Sequence, residues 1–402
     1  MWQLILDFLN STGIVNFFKD DGWMNLIMIL IGAVLLFLAI KKKYEPYLLI
    51  PIAVGMILVN ILPSIVAPQA ADHTFIFEDA EGKTIVDGRG LLGILHLGVE
   101  YEIYPCLIFI GIGATTDFGP LISNKKTMLL GAAAQIGIFA AFLGAIALSG
   151  IWPEVFDFTV GDAAGIGIIG GADGPTAILV SNKLARGELT AGIALAAYSY
   201  MALVPVIFPP IIKLMTTKKE RSIRMEMPRE VTKSEKILFP IIVTLVCCII
   251  VPSCTPLIGC LMFGNLIKES GVVPNLVHTA SNALLYTCTI LLGLSVGATA
   301  IGTTFLQAKT IMIFVLGIIA FIIAAIFGLL GGKLMCVITR GKVNPMIGVA
   351  GVSAVPMAAR VVHKIGQEED PNNYLLMHAM GPNVAGVIGS AVAAGILLTM
   401  IG

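Results

Sequence analysis

The amino-acid sequence predicts an all-α polytopic membrane protein made of two inverted five-helix repeats, each with a re-entrant hairpin. Composition is the first reason: hydrophobic residues form 57% of the 402 residues, charged residues 12%, and the mean hydropathy is +0.94. Soluble domains carry about 25% charged residues, so lipid is the expected solvent of this chain. The formal net charge of +0 argues against nucleic acid as a partner. The other two reasons are a series of apolar runs and an internal repeat.

The apolar runs set the expected number of membrane spans. A span needs about 20 apolar residues, so a chain of this length holds about ten of them with short loops. Ten runs are candidates: 24–40, 47–66, 103–122, 127–149, 189–212, 237–253, 257–267, 279–303, 310–338 and 374–401. Two further runs, 163–182 and 345–359, are rich in Gly, Ala and Pro and are too irregular for plain spans.

Lysine and arginine indicate which loops face the cytoplasm, because basic loops stay on that side. Loop 213–236 holds eight basic residues, and further basic residues follow or precede other runs (Lys41–Lys43, Lys125, Lys126, Arg340 and Lys342). These should lie inside. The acidic loop 68–89 and the segment 150–162 should lie outside. With ten spans, both termini are expected outside.

This sidedness constrains the two irregular runs. The fourth run ends outside near Gly150, and the fifth must end inside at Lys213. A single crossing by residues 163–182 would put the basic loop outside, so a re-entrant hairpin is predicted there. The same reasoning makes 345–359 a hairpin that enters from the cytoplasm. A broken crossing helix at 163–182, or a hairpin at 183–212 instead, stays open as an alternative.

An internal repeat supports two equivalent halves. The stretch IGIIGGADGPTAI (166–178) aligns without a gap with IGVAGVSAVPMAA (347–359). Two further matches occur in the same order: Pro51 and Asn60 with Pro256 and Asn265, and Gly113–Thr115 with Gly297–Thr299. We therefore predict repeats at 1–212 and 237–402, joined by the cytoplasmic loop 213–236. An odd number of spans in each half inverts the second, a recurring plan of secondary transporters.

Asp173 is the strongest candidate for ion chemistry. It lies in GGADGP, inside the first predicted hairpin, whereas the matching position of the second is Ala354. A carboxylate within the membrane is costly unless a cation or a proton neutralises it. Asp173 is therefore predicted to bind a hard cation such as Na⁺, or alternatively a proton. An Asp-Gly turn in a surface loop is the competing interpretation.

Other polar residues could complete such a site, and each has a structural alternative. Asn344 and Ser353 offer oxygen ligands suited to hard cations, but Asn344 could cap a helix and Ser353 could pack in one. Arg360 could hold a carboxylate that enters from the cytoplasm, or could be a positive-inside anchor. Asn383 opens the last span beside the hairpins. A buried tyrosine of the stretch YSYM (198–201) could ligate the ion or relay a proton, or could belong to an interfacial belt.

Four stretches carry a resemblance to a known family. GIIGGADGPTAI, FGNLIKESGVV, NPMIGVAGVSAVP and MHAMGPNVAGV resemble the β subunit of the sodium-pumping biotin-dependent decarboxylases, which act on oxaloacetate, methylmalonyl-CoA or glutaconyl-CoA. The similarity covers nearly the whole chain. It implies a subunit of the prokaryotic inner membrane that decarboxylates carboxybiotin, consumes a proton and exports Na⁺. A Na⁺/H⁺ antiporter or a Na⁺-coupled solute transporter is the alternative function.

The resemblance also implies partners and residue roles. A carboxyltransferase (α) subunit, a biotin carrier and a small single-span membrane subunit should accompany the chain, which lacks a Met-Lys-Met biotinylation site. Several β subunits should assemble together, with a trimer as one arrangement. The implied Na⁺ ligands are Asp173, Asn344, Ser353 and Asn383. The implied catalytic residues are Asp173, Arg360 and Tyr200, with Tyr198 as the other tyrosine candidate, and the implied carboxybiotin contacts are Arg360, Asn344 and Gly348.

Overall fold

The computed structural model describes residue 17 and residues 22–43, 45–66, 75–78, 84–87 and 90–402. Within these ranges the chain is helical apart from one antiparallel strand pair, β1 (Phe75–Glu78) and β2 (Thr84–Asp87). The predicted all-α class is confirmed with this small addition. The rest of the acidic loop 68–89 lies outside the described residues.

Nineteen α-helices are described, several of them separated by single turns of other helix types. In the first half of the chain they are α1 (Gly22–Lys41), α2 (Pro46–Ile61), α3 (Leu91–Glu100), α4 (Ile103–Thr115), α5 (Gly119–Ser123), α6 (Met128–Ala134), α7 (Ile136–Ile151), α8 (Val160–Ile168), α9 (Gly174–Leu184) and α10 (Gly187–Met215). In the second half they are α11 (Lys218–Arg221), α12 (Lys233–Ile250), α13 (Thr255–Ser270), α14 (Pro274–Thr279), α15 (Leu285–Ala298), α16 (Gly302–Phe305), α17 (Ala308–Ile338), α18 (Met357–Glu369) and α19 (Leu376–Ile401).

Five described helices are long and apolar enough to cross a membrane, and up to seven spans result if each of two bent pairs counts as one. The five are Gly22–Lys41, Lys125–Ile151, Pro274–Ala298, Ala308–Ile338 and Leu376–Ile401. The chain is thus a multi-pass membrane protein, and the count of ten spans stays a prediction.

Proline explains why one predicted run is not a straight helix. Helix α10 bends by 62° between Met201 and Leu203. Pro205 lies inside this helix and lacks the N–H that would bond the carbonyl of Met201, four residues earlier. A loss of this kind is a common cause of sharp kinks.

The described chain divides into two compact units. The first holds residues 1–104 and 287–311. In this unit α2 and α15 pack so closely that their backbones touch. A methyl group added at Gly55 would lie only 2.3 Å from the Leu294 carbonyl oxygen, so only glycine fits at this position. Asn60 ends this contact: its Nδ2 donates to the Ala300 carbonyl at 2.8 Å.

The second unit, residues 105–286 and 312–402, contains an equivalent contact between α4 and α13. A methyl group on Gly113 would lie 1.9 Å from the Leu261 carbonyl oxygen. Asn265 Nδ2 donates to the Thr116 carbonyl at 3.2 Å. Thr116 follows Gly113 by three residues, as Ala300 follows Gly297, so the same hydrogen bond occurs at matching positions of the sequence repeat.

The first hairpin segment, residues 160–184, folds back on itself. The start of α8 lies against the end of α9: a methyl group added at Gly161 would lie only 1.9 Å from the Leu184 carbonyl oxygen. The two arms, α8 and α9, are therefore antiparallel. Asp162 is fully buried and ties the two ends together. It accepts hydrogen bonds from the backbone N–H and the Nε of Arg186, both at 2.8 Å. The arms extend a few residues beyond the predicted 163–182.

The second hairpin segment, residues 345–369, consists of a 3₁₀-helix (Pro345–Gly351), an extended break and α18. Its ends also meet, because Asn344 Nδ2 and Asn373 Nδ2 donate to the same carbonyl, that of Arg221, at 3.0 and 2.9 Å. The Arg221 side chain forms a 2.7 Å ion pair with Glu369. The segment is longer than the predicted 345–359, and it is fastened to the basic loop 213–236.

Candidate functional site

The tips of the two hairpin segments contact each other. The backbone N–H of Ser353 donates to the Gly171 carbonyl at 3.1 Å. Both residues lie at helix breaks: the first segment leaves helical geometry at Ala172, which has φ of 53°, and the second leaves it after Gly351. Breaks within apolar protein leave peptide groups without helical partners, and such backbone is tolerated where it is buried or lines a polar site.

Asp173 lies at this junction, immediately before α9. Its side chain is 5% exposed, and its Oδ2 accepts a 2.7 Å hydrogen bond from the hydroxyl of Ser390 on α19. Among the described residues, no Lys, Arg or His forms an ion pair with this carboxylate. Neutral donors, the hydroxyl of Ser390 and the hydroxyl and backbone N–H of Thr176, do not replace a counter-charge, so the carboxylate requires a cation or a proton.

Several buried side-chain oxygen atoms near this junction have no hydrogen-bond partner among the described residues. They are Gln135 Oε1, Tyr198 Oη, Ser353 Oγ and Asn383 Oδ1. More than about 90% of buried polar groups in proteins are hydrogen-bonded, so a cluster of orphaned oxygens needs an explanation. An ion that takes oxygen ligands would satisfy them.

The amide of Asn383 shows how such an oxygen is oriented. Its Nδ2 donates to the carbonyls of Val352 at 2.7 Å and Ala350 at 3.0 Å, both in the second hairpin segment. The nitrogen is therefore fixed by two acceptors, and Oδ1 points away from them with no hydrogen-bond partner in the part of the chain that the structure describes. Asn383 and Ser390 are seven residues apart on α19, about two helical turns, so they share a face.

Of the two tyrosine candidates, Tyr198 is the one beside Asp173. The Tyr198 ring packs on Gly174, the residue that follows Asp173: a methyl group added at Gly174 would lie 2.1 Å from Cε1 of the ring. Tyr200 is also buried, but its hydroxyl donates to the Phe314 carbonyl on α17. Of the two hydroxyls, that of Tyr198 therefore lies near the carboxylate and has no hydrogen-bond partner among the residues that the structure describes.

Asn344 and Gly348 lie in the arm of the second hairpin segment and not at its tip. Asn344 caps the 3₁₀-helix, with Oδ1 accepting from the Met346 N–H at 3.0 Å, and its Nδ2 is bound to the basic loop. The seven-residue 3₁₀-helix rises about 2 Å per residue, which separates Asn344 from the tip by about 14 Å. Gly348 allows close backbone contact, since a methyl group there would lie 2.0 Å from the Gly328 carbonyl oxygen.

Arg360 is exposed on the first turn of α18, with no ion pair among the described residues. A cavity of about 440 Å³, here called the basic-loop cavity, lies between four chain segments, two of which contribute the basic residues Arg224 and Lys342. Arg360 does not line this cavity. The cavity is lined by Pro120, Ser123, Asn124, Thr127, Arg224–Pro228, Gly341, Lys342, Met377 and His378.

The chemistry of these groups favours a hard monovalent cation. The described residues contain no cluster of three or more His, Cys, Asp or Glu that could hold a metal ion. What the junction offers is one carboxylate with neutral hydroxyl and amide oxygens, and hard cations prefer oxygen ligands. A single negative charge matches one Na⁺ or one proton.

Helices that could span a membrane, together with a buried carboxylate that has no cationic partner among the described residues, are typical of ion-translocating membrane proteins. Residues 24–401 match the family described as the Na⁺-transporting oxaloacetate decarboxylase beta subunit, and the chain belongs to this family. The predicted family is therefore confirmed, and the chain is a decarboxylase β subunit.

Three curated relatives show how evenly the chain resembles members with different names. The methylmalonyl-CoA decarboxylase subunit beta of Propionigenium modestum is 52% identical and both chains are covered completely. The glutaconyl-CoA decarboxylase subunit beta of Acidaminococcus fermentans is 52% identical over 96% of each chain. The oxaloacetate decarboxylase beta chain of Klebsiella pneumoniae is 49% identical over 93% of this chain and 94% of that one. Identity thus does not single out one acid.

Proposed function

We propose that this β subunit decarboxylates carboxybiotin delivered by a partner subunit and couples that step, with consumption of a proton, to Na⁺ export across the prokaryotic inner membrane. The single observation that carries the proposal is Asp173, a buried carboxylate at the junction of two broken segments that has no cationic partner in the described part of the chain. The family name supports Na⁺ transport and decarboxylation.

The proposed Na⁺ ligands are the Asp173 carboxylate and the orphaned oxygens of Ser353 and Asn383, three of the four predicted ligands. The fourth, Asn344, is left out of the proposed set because its amide is engaged away from the tip. Ser390 and Tyr198 join them, because both contact Asp173 or its neighbour Gly174. Na⁺ and H⁺ would compete for one carboxylate, since leaving it charged and unpaired is costly. Arrival of a proton would then release Na⁺.

Carboxybiotin would approach from the side of the basic loop. The basic-loop cavity supports this, since α19 runs from its lining residue His378 to Asn383, five residues or about 7.5 Å further along the helix. In the reaction the C–N bond breaks, CO₂ leaves, and the ureido nitrogen keeps the electron pair and takes a proton. Arg360, Asn344 and Gly348 remain proposed contacts of carboxybiotin on the basis of the resemblance.

The proton would reach the biotin nitrogen by way of Asp173 and a tyrosine hydroxyl. Tyr198 is favoured over Tyr200 because its hydroxyl has no hydrogen-bond partner within the described ranges, whereas the hydroxyl of Tyr200 donates to the Phe314 carbonyl. The partners proposed from the resemblance are a carboxyltransferase, a biotin carrier, a small single-span membrane subunit and further copies of the β subunit.

The proposed architecture is a pair of inverted repeats, 1–212 and 237–402, with ten spans and two re-entrant hairpins. The repeated asparagine contact, Asn60 to Ala300 and Asn265 to Thr116, supports two equivalent halves. In each hairpin segment the first and last residues lie close together, which supports re-entrant geometry. The two ends of a helix that crosses the membrane would instead be about 30 Å apart.

Reconstitution tests the function. The complete complex in liposomes should accumulate ²²Na⁺ when one of oxaloacetate, methylmalonyl-CoA or glutaconyl-CoA is added, and an avidin block of biotin should stop it. A Na⁺/H⁺ antiporter would instead move ²²Na⁺ in response to a pH gradient with no acid added. That outcome would replace the proposal.

A further inference from the structure

Gln135 is a buried polar residue that has no place in the roles described so far. It lies between α6 and α7, within the continuous apolar span Lys125–Ile151, and is 6% exposed. Its Nε2 is surrounded by three carbonyl oxygens from three segments: those of Gly131 at 3.4 Å, Gly351 at 3.5 Å and Gly386 at 3.3 Å.

These carbonyls fix the orientation of the amide. Exchanging the amide nitrogen and oxygen would place Oε1 against three acceptors, which cannot donate to it. The nitrogen therefore belongs on the carbonyl side, and Oε1 faces the opposite way, where it has no partner among the described residues.

The free oxygen is directed at the junction of the hairpin tips. A methyl group on Gly171 would lie 3.5 Å from Gln135 Oε1 and 3.3 Å from Ser390 Cβ. Gly171 is the residue whose carbonyl accepts from Ser353, two positions before Asp173. Gln135 and Asn383 thus present two oriented amide oxygens, each with its nitrogen engaged by backbone carbonyls.

We infer that Gln135 Oε1 is a neutral ligand of the Na⁺ held at Asp173, and that this residue helps to set ion affinity and selectivity. The inference rests on the proposed function. Because Nε2 touches both the second hairpin segment and α19, the same side chain would also align these two segments with the ion.

The test uses the full-length chain in detergent and measures thermal unfolding against NaCl, with choline chloride at constant ionic strength, and again with LiCl. Gln135→Met removes the oxygen at similar volume, and Gln307→Met makes the same change at an exposed glutamine as a control. We expect Gln135→Met to raise the NaCl concentration needed for half-maximal stabilisation by about tenfold. This is the effect of losing one ion contact that is about as strong as a hydrogen bond. The ratio of the half-maximal NaCl concentration to the half-maximal LiCl concentration, here called the Na⁺/Li⁺ ratio, should change as well.

A purely structural glutamine would lower the unfolding temperature in choline chloride but leave the NaCl dependence and the Na⁺/Li⁺ ratio unchanged, which would overturn the inference. If Gln135→Met does not fold, Gln135→Asn decides, with Gln307→Asn as control: the shorter side chain keeps the amide but withdraws its oxygen, so the half-maximal NaCl should rise, and an unchanged value contradicts the inference.

Failure of the proposed ion site would look different. In that case wild type would gain nothing from NaCl over choline chloride, or Asp173→Asn would respond to NaCl as wild type does. If wild type responds, Asp173→Asn does not, and Gln135→Met matches wild type, the ion site stands and only the role of Gln135 is rejected.

Discussion

The hydroxyl of Ser390 donates a 2.7 Å hydrogen bond to Oδ2 of Asp173, and so joins the last long helix to the first hairpin segment. The other end of the junction is closed by Asn383, two turns earlier on the same helix, which binds the second hairpin segment through two carbonyls. One face of α19 therefore holds both hairpin tips, and a ligand at Asp173 would contact all three elements.

Ser390→Ala should weaken Na⁺ binding without unfolding the protein. The variant removes a hydroxyl from Asp173, so the Na⁺ concentration for half-maximal decarboxylation should rise by about tenfold. Ser295→Ala is the matched control, because Ser295 is a buried helical serine whose hydroxyl donates to the Leu291 carbonyl at 2.7 Å. Equal Na⁺ dependence of the two variants would remove Ser390 from the site.

Tyr198→Phe and Tyr200→Phe should separate the two tyrosine candidates. Loss of the Tyr198 hydroxyl removes a group beside Asp173, so the decarboxylation rate should fall and its pH profile should change. Loss of the Tyr200 hydroxyl breaks a bond to the Phe314 carbonyl and should lower thermal stability, with the pH profile retained. Rates measured between pH 6 and 9 at saturating Na⁺ distinguish the cases, and the reverse pattern would restore Tyr200 to the proton path.

Sequence reasoning predicted the membrane class, the family and the two irregular segments, because hydropathy and the Gly-rich motifs are local signals. It did not identify Gln135 or Ser390, since the roles of these residues depend on which carbonyls and which carboxylate the fold brings next to them. The spacing of Asn383 and Ser390 by seven residues was an available signal. Asn344 shows the opposite case: a polar residue in a strong motif can have its amide fully engaged at a hairpin base.

Arg186→Met should destabilise the first hairpin segment. It leaves the fully buried Asp162 carboxylate without its guanidinium partner, though backbone donors remain. Because Arg186 is a third exposed, we expect a loss of about 1–3 kcal/mol, below the range for wholly buried pairs. Thermal unfolding in detergent measures this. Lys364→Met is the control, because Lys364 is an exposed helical residue with no ion pair among the described residues, and an equal loss in both variants would contradict a specific tie.

Arg360→Ala and Lys342→Met should tell which cation receives carboxybiotin. Lys342 lines the basic-loop cavity, whereas Arg360 is exposed outside it. If the family resemblance holds for Arg360, its variant should lower decarboxylation of carboxybiotin by about tenfold or more while Na⁺-dependent stabilisation is unchanged. Full activity of Arg360→Ala with a defect in Lys342→Met would move the docking site to the cavity and leave Arg360 as a positive-inside anchor.

Asp173→Asn should abolish Na⁺-stimulated decarboxylation and Na⁺ transport together. The substitution keeps the size and one oxygen but removes the charge and the proton site, while the amide can still bond to the Ser390 hydroxyl, so the protein should fold and insert.

In wild type, protons and Na⁺ should compete for the carboxylate, so lowering the pH should raise the Na⁺ concentration needed for half-maximal activity. The measurement is decarboxylation and ²²Na⁺ uptake over a grid of pH and Na⁺, in wild type and variant, with protein level checked by size-exclusion profile. An Asn variant that still pumps Na⁺ with the wild-type pH dependence would show that the coupling carboxylate lies elsewhere, because an amide can neither take a proton nor neutralise a cation in this range.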